Sequence, residues 1–252
     1  MKYILIFIFL LFNRIYSQEI LTGQEYLTNL DEYYTLQDGF YEAELQIKKD
    51  NFLKKNFTLK IFKKKDELII HFYDIQKTLI SKLFFHKKIN KIIHYKHLSG
   101  KFYQIEQEER LENFLGTSFS YIDFSFPSFE ENFSIESKTE INDHGEKAEI
   151  IVLKAISFPN YPKIDYKFSS SKNPIRLDYY NSKGVLFKTI KFKGGKLKKR
   201  TNKELIEIFY SAKEIYSIDL NTNTNSIIIL KEWNEEIVPN EFFFEWRNLI
   251  EN

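Results

Sequence analysis

Residues 40–48, which read FYEAELQIK, are the stretch from which the fold is most directly deduced. From Tyr41 to Lys48, apolar and polar side chains alternate, and a period of two places all the apolar ones on one face of a β-strand. A strand with one buried and one wet face is typical of an antiparallel sheet. This stretch therefore predicts an antiparallel strand at the border of a hydrophobic core.

Other parts of the chain repeat or extend this pattern. The same alternation is found in residues 57–61, 164–168 and 175–179. Three further segments are apolar on both faces, namely residues 68–73, 150–156 and 227–230. A strand that is apolar on both faces needs cover on both sides, or one face that lines an apolar cavity. The predicted sheet is therefore large and at least partly covered.

A helix is predicted at each end of these strands. Thr22-Gly23-Gln24-Glu25 fits a capping box, and apolar residues at helical spacing follow it as far as Asp38-Gly39. Residues 239–250 begin with a proline and show an apolar stripe at the same spacing. We predict a mainly β fold of roughly ten antiparallel strands, curled into a sheet or incomplete β-barrel with a helix at each end.

The first seventeen residues predict a secretory signal peptide. Lys2 precedes an uninterrupted apolar run from Tyr3 to Phe12, which is shorter than the roughly 20 residues that span a bilayer. A small residue, Ser17, precedes Gln18, and cleavage is expected near it. The alternative is a buried first strand or helix, but a core element seldom begins at residue 3 without a polar face. We expect an exported, soluble protein with residues 18–252 as a single domain.

The composition excludes several classes of protein. The 252 residues include 37 Lys and Arg, 35 Asp and Glu, and no cysteine. The absence of cysteine excludes disulfides, thiolate metal sites, a Cys nucleophile and a lipidated N-terminal Cys. The formal net charge of +2 argues against a nucleic-acid binder, which normally carries a clear basic excess.

No catalytic or metal-binding pattern is apparent in the sequence. His94 and His97 would lie on opposite faces of a strand, so we interpret them as half-exposed strand residues and not as metal ligands. Residues 116–120 lack the second glycine of a nucleophile elbow, and Gly194-Gly195 stands alone without a phosphate-binding loop. We expect no enzyme activity, no cofactor and no metal.

Lysine forms two local clusters in an otherwise balanced sequence. They comprise Lys54, Lys55, Lys60, Lys63, Lys64 and Lys65 in one group and Lys193, Lys196, Lys198, Lys199 and Arg200 in the other. We interpret them as solvated hairpin tips, where lysine also protects sheet edges from aggregation. The alternative is contact with anionic head groups or an acidic partner.

Three stretches resemble the bacterial outer-membrane lipoprotein-sorting family, called LolA-like. Residues 115–124 (LGTSFSYIDF) resemble the family's block Gly-(Ser/Thr)-x-Phe-(Ser/Thr)-Tyr-x-Asp-(Leu/Phe). Residues 173–184 are similar to its hairpin Pro-x-x-hydrophobic-x-x-Tyr followed by Gly, and residues 237–249 are similar to its closing helix. The resemblance implies an incomplete antiparallel barrel closed by helices, with an apolar concave face that shelters acyl chains in the periplasm.

The resemblance also implies site residues and partners. We assign the apolar groove to Leu45, Leu59, Ile61, Ile70, Phe72, Ile150, Val152 and Tyr166. We assign a scaffold role to the motif residues Gly116, Phe119, Tyr121 and Asp123, where the glycine allows a positive φ and the aspartate caps backbone amides.

The implied function is a monomeric periplasmic carrier of lipids or lipoprotein acyl chains. Its other expected contacts are transient ones with a membrane surface or with envelope proteins. The alternative is a non-catalytic cell-envelope interaction module that keeps the scaffold without binding a ligand.

Overall fold

A computed structural model describes residues 23–237, apart from 35, 51, 87, 126–127, 144, 157–160, 171–172 and 202–203. The predicted leader, the Thr22 cap and the closing helix from Pro239 lie outside the described residues.

Thirteen strands form one large sheet in this part of the chain. They are β1 (Gly39–Lys49), β2 (Phe52–Lys64), β3 (Glu67–Tyr73), β4 (Leu79–His86), β5 (Lys91–Lys96), β6 (Lys101–Gln104), β7 (Phe133–Asp143), β8 (Glu146–Ala155), β9 (Lys163–Ser169), β10 (Pro174–Tyr180), β11 (Leu186–Arg200), β12 (Leu205–Asp219) and β13 (Thr224–Asn234). The predicted mainly β, antiparallel fold is confirmed, with more strands than the roughly ten expected.

The strand order shows two meanders joined through the first and last strands. The order is β6-β5-β4-β3-β2-β1-β13-β12-β11-β10-β9-β8-β7, so β1 pairs with β13 and the described strands leave the sheet open at β6 and β7. The neighbouring strands in this order are antiparallel, and a short parallel contact joins residues 198–200 of β11 to residues 232–234 of β13. The first and last strands, β1 and β13, therefore pair at the centre of the sheet, between the two meanders.

Gly39 is the residue at which β1 enters this central pairing. Its φ is +134°, which L-amino acids with a side chain rarely adopt. A Cβ atom here would lie 2.7 Å from both the Asn234 carbonyl oxygen and Trp233 Nε1. Only glycine therefore allows β1 and β13 to approach each other this closely.

One helix of twelve residues and several shorter ones complete the described structure. They are α1 (Gly23–Tyr34), α2 (Tyr121–Phe124) and α3 (Phe129–Asn132), together with 3-10 turns at His97–Ser99, Gln107–Leu111 and Phe114–Gly116. Helix α1 buries Tyr26, Leu27 and Leu30, which helical spacing places on one side. The tyrosine ring packs against Phe168 of β9, with 4.8 Å between ring centroids. Helix α1 therefore covers part of the sheet's inner face.

The strands bury one face in a common core. In β1 the alternating residues Tyr41, Ala43, Leu45 and Ile47 are all buried, as their period of two predicts. On β3 both faces are buried, because Ile69 forms a second, smaller cluster with Phe84 and Ile93 on the other side of the sheet. The need for cover on both faces is thus met at residues 68–73.

Candidate functional site

The candidate site is the inner face of the sheet, where the structure places six of the eight predicted groove residues. Leu45, Leu59, Ile61, Ile70, Phe72 and Tyr166 belong to one hydrophobic cluster. Each of these six residues is at most 2% exposed. The structure therefore brings them together on one wall, and that wall is covered.

Ile150 and Val152 are not on this wall. Both are partly exposed, whereas Ile151 and Leu153 of the same strand are fully buried in the core cluster. When consecutive residues of a strand are all apolar, the sequence does not show whether the odd-numbered or the even-numbered side chains face inward. The inner positions of β8 are therefore one residue away from those assigned from the sequence.

The cover is supplied largely by residues 113–124, which we call the plug. Phe114, Phe119 and Phe124 of the plug are each at most 2% exposed. The Phe114 and Phe124 rings pack against Phe72 of β3, with centroid distances of 4.8 and 5.6 Å. Burial of each such ring contributes about 1.5–3 kcal/mol to stability. The concave face is thus filled by aromatic side chains at this point.

The plug begins with a tight turn in left-handed backbone conformation. Leu115 and Gly116 have φ values of +52° and +78°. A Cβ atom at Gly116 would meet nothing within 4 Å, so the glycine is favoured there by its backbone angle and not by lack of space. Thr117 Oγ1 then donates to the Phe119 carbonyl at 2.8 Å and accepts from the Phe119 amide at 3.1 Å. The motif's Gly-Thr-Ser-Phe sequence therefore directs the Phe119 ring into the core.

Asp123 of the motif lies in a buried polar cluster. Its carboxylate accepts hydrogen bonds from the Ser120 amide at 2.6 Å and the Ser120 hydroxyl at 2.8 Å, which caps the first turn of α2. It also forms an ion pair with Lys188 of β11, and both side chains are at most 4% exposed. The Tyr161 hydroxyl lies 3.3 Å from the carboxylate and 3.2 Å from Lys188 Nζ.

Burial lowers the pKa of Lys188, while the charge of Asp123 and its hydrogen bond with Lys188 act in the opposite direction. The sequence interpretation did not include this lysine. Its position in the strand could have revealed it. Lys188 is two residues before the buried Ile190, so in a β-strand both side chains lie on the same face. A lysine at an inward position needs a partner, and Asp123 provides the opposite charge.

Two serines of the sheet bind the middle of the plug. Ser226 Oγ of β13 accepts from the Ser118 amide at 2.9 Å. Ser217 Oγ of β12 donates to the Ser118 carbonyl at 2.8 Å, and Ser118 Oγ donates to the Ser217 carbonyl at 2.7 Å. All three serines are fully buried. The plug is therefore attached to the sheet by polar contacts inside an otherwise apolar core.

His94 forms a further polar contact with the plug. It is 3% exposed, which corrects the prediction of a half-exposed strand residue. One ring nitrogen lies 2.6 Å from Ser81 Oγ, and the other lies 3.0 Å from the hydroxyl of Tyr121, the motif tyrosine. Burial is the main reason why the pKa of His94 is lowered to about 4, with a smaller contribution from Lys96. His97 begins an exposed 3-10 turn, so the two histidines do not meet.

A small cleft opens beside the plug. Its volume is about 180 Å³, and its apolar wall is formed by Phe85, Ile92 and Ile122, while Ser125 and Ser128 lie among its polar residues. No group of three or more metal-ligating side chains is found within the described ranges. In the same residues, no helix combines the length and the apolarity needed to cross a membrane.

Three solved structures share this fold. A DUF1329 family protein from Desulfovibrio piger is 16% identical, with a TM-score of 0.73, and the match covers 90% of this chain and 97% of that one. A putative outer membrane lipoprotein-sorting protein domain from Vibrio parahaemolyticus is 15% identical, with a TM-score of 0.71 and coverage of 91% and 98%. The LolA superfamily protein NE2245 from Nitrosomonas europaea is 14% identical, with a TM-score of 0.64 and coverage of 88% and 99%.

These similarities define the class: the chain has the fold of LolA-superfamily proteins, and the predicted LolA-like resemblance is confirmed at the level of fold. No curated protein matches the chain. A family model described as "Uncharacterized protein" matches residues 85–250, and the chain belongs to that family.

Proposed function

We propose that this protein is a non-catalytic periplasmic carrier that binds lipids or the acyl chains of lipoproteins on the inner face of its sheet. The observation that supports the proposal is the cover of that face. A continuous apolar wall is covered by α1 and by the plug instead of by a second sheet. We propose that α1 and the plug can move away from the wall without breaking the hydrogen bonds between the strands.

In this proposal, an acyl chain takes the place of the plug's aromatic rings. Transfer of an acyl chain from water to an apolar wall is favourable by about 0.8 kcal/mol per methylene group and needs no directional contact. Leu45, Leu59, Ile61, Ile70, Phe72 and Tyr166 would form the wall, with Ile151 and Leu153 as the inner residues of β8. The small cleft beside Ile122 is the proposed point of entry.

The polar contacts of the plug suit a cover that opens. Hydrogen bonds such as those of Ser118 each contribute only about 0.5–1.5 kcal/mol net. Their geometry nevertheless defines where the plug returns. The hydrogen bonds of Ser118 are therefore proposed to define the position of the plug, whereas the buried aromatic rings provide most of the free energy that an incoming acyl chain has to replace.

A disulfide that locks the plug tests this mechanism. Because the chain has no cysteine of its own, the two introduced cysteines can pair only with each other within the molecule. We expect the double variant Ser118→Cys, Ser226→Cys to bind cis-parinaric acid when reduced and about tenfold more weakly when oxidised, because the locked form rarely opens. Ser226 Oγ lies 2.9 Å from the Ser118 amide nitrogen, so the two substituted positions are direct neighbours. Fluorescence of the fatty acid reports binding, and mass spectrometry reports the disulfide.

The reduced and oxidised forms of the same variant serve as each other's control. Equal binding by both forms would show that binding does not require the plug to move. If neither the variant nor the parent protein binds the fatty acid, the carrier proposal itself is wrong.

One observation favours the alternative, a non-catalytic cell-envelope interaction module. The six inner groove residues are each at most 2% exposed because other side chains of the chain pack over them. Lipid extraction and mass spectrometry of the protein purified from a native periplasm separate the two functions. A stoichiometric bound lipid supports the carrier, whereas a lipid-free protein that retains protein partners after plug variants supports the interaction module.

A further inference from the structure

Exposed apolar side chains are concentrated at one end of the sheet. The hairpins β1–β2, β3–β4, β5–β6, β10–β11 and β12–β13 all turn at this end. Each carries at least one large apolar residue that faces solvent. These residues, which we call the apolar rim, are Phe52, Leu53, Ile75, Leu98, Val185 and Leu220. Leu98 is 88% exposed, Ile75 74% and Phe52 71%.

The five hairpins are consecutive in the sheet, so the rim is continuous. Their order along the sheet is β6-β5, β4-β3, β2-β1, β13-β12 and β11-β10. Direct contacts join neighbouring tips: Asn223 Nδ2 donates to Asp50 Oδ1 at 2.7 Å, and the Leu220 amide donates to the Phe187 carbonyl at 2.9 Å. Single exposed apolar residues are ordinary on protein surfaces, but one on each of five adjacent turns forms a surface feature.

Lysines flank the apolar rim. Four of them, Lys48, Lys49, Lys54 and Lys55, lie on the β1–β2 hairpin. Four more, Lys77, Lys96, Lys101 and Lys183, lie on the other hairpins. The acidic residues of the same hairpins are Asp50, Asp74 and Asp219, and each accepts a hydrogen bond from a residue of these turns. The rim is therefore basic in a chain whose formal net charge is only +2.

These lysines differ from the basic residues at the far end of β11. There Lys196, Lys199 and Arg200 form ion pairs with Glu207, Glu235 and Glu232. Among the residues that the structure describes, none of the eight rim lysines takes part in an ion pair. Lys54 and Lys96 lie over the rings of Phe52 and Tyr103, at 5.9 and 4.6 Å, which leaves their charge unneutralised. The charge of the eight lysines is therefore available to an anionic partner.

We infer that the apolar rim docks on the surface of a lipid bilayer that contains anionic head groups. Isolated apolar side chains on hairpin tips can enter the interface between head groups and acyl chains, while the neighbouring lysines meet anionic phosphates. A protein partner of similar strength would normally need a central apolar patch surrounded by a polar rim. Here apolar and basic residues are interleaved along a row of turns, which fits a membrane surface.

Vesicle binding by the exported chain, purified from the periplasm, tests this inference. The probes are phosphatidylethanolamine vesicles with about one-quarter phosphatidylglycerol, and phosphatidylcholine vesicles without anionic lipid. We expect sedimentation with the anionic vesicles that weakens as salt is raised. The double variant Phe52→Ser, Leu98→Ser should bind them about tenfold more weakly, because two apolar contacts with the interface are lost.

A matched pair at the other end of the molecule provides the control. Leu205 and Phe209 are 49% and 76% exposed, and the variant Leu205→Ser, Phe209→Ser should bind the vesicles as the parent does. All four substitutions are at exposed positions, and thermal melting of both variants verifies folding.

Three results would overturn the inference. They are no binding to anionic vesicles at low salt, an equal loss of vesicle affinity in both double variants, and equal binding to vesicles with and without anionic lipid. A complex with an envelope protein that only the rim variant abolishes, without vesicle binding, would assign the surface to a protein. The inference does not depend on the carrier proposal, because vesicle binding and fatty-acid binding are separate measurements.

Discussion

At the scale of single residues, the buried pair of Asp123 and Lys188 determines how the plug meets the sheet. A buried charge that loses its partner costs about 3–5 kcal/mol. We therefore expect Lys188→Met alone to lower the free energy of unfolding by about this amount, because Asp123 then remains buried without its ion pair. Urea denaturation measures the change.

Two further variants complete this experiment. Asp123→Leu combined with Lys188→Met should cost less than Lys188→Met alone, since no uncompensated charge is left. Lys191→Met, at an exposed position of the same strand, should cost little. Equal effects of Lys188→Met and Lys191→Met would contradict the importance of the pair.

His94 predicts how stability depends on pH. Its pKa is about 4 in the folded protein and about 6.5 when unfolded, so the unfolded state binds a proton first as the pH falls. Stability should therefore decrease between pH 6.5 and pH 4, by up to about 3 kcal/mol from this residue. His71, whose pKa is lowered to about 3 mainly by burial, adds to the same trend.

Variants at two histidines assign the pH effect. His94→Gln should flatten the curve of unfolding free energy against pH between pH 6.5 and pH 4. His97→Gln, at an exposed position, should leave the curve unchanged. A curve that keeps the parent's slope in His94→Gln would show that this histidine does not cause the loss.

At the scale of elements, the plug should be less stable than the sheet that it covers. The plug lies outside the backbone hydrogen-bond ladders of the sheet, and such segments open locally with a smaller free energy than core strands. We expect the Ser118 amide to exchange with deuterium faster than the amides of β2, and Ser226→Ala to accelerate it further, because the buried amide loses its acceptor. Ser182→Ala, in an exposed turn, is the matched control. Exchange of the plug at the same rate as β2 would indicate that plug and sheet open only together.

The same scale shows where sequence patterns succeed and fail. The alternation in β1 predicts its inward residues, because each apolar residue is followed by a polar one. In β8, Ile150, Ile151, Val152 and Leu153 are all apolar, so the pattern predicts a strand but does not reveal its inner face. The pairing with β9 decides it, because Ile151 lies opposite the buried Tyr166 and Leu153 opposite the buried Ile164.

At the scale of the whole molecule, the pairing of β1 with β13 joins the two meanders. Gly39→Ala should destabilise the entire fold by several kcal/mol, because a Cβ atom would lie 2.7 Å from the Asn234 carbonyl oxygen. Gly100→Ala is the control, since its φ is also positive but a Cβ would meet nothing within 4 Å, so about 1 kcal/mol is expected. Thermal denaturation compares the two. A similar loss in both would mean that the backbone angle, and not the close approach of the strands, governs the effect.

The sequence by itself determined the class of fold. Periodicity and β-forming composition predict a large antiparallel sheet, and the residues around Gly116 and Asp123 predict the LolA-like fold, since these signals depend only on neighbours along the chain.

Only the tertiary structure decided how the concave face is filled and what is buried beside it. Lys188, Ser217 and Ser226 are between 65 and 108 residues away from their partners in the plug. No local pattern encodes such contacts, because they arise when the first and last strands pair and curl the sheet around the segment between the two meanders.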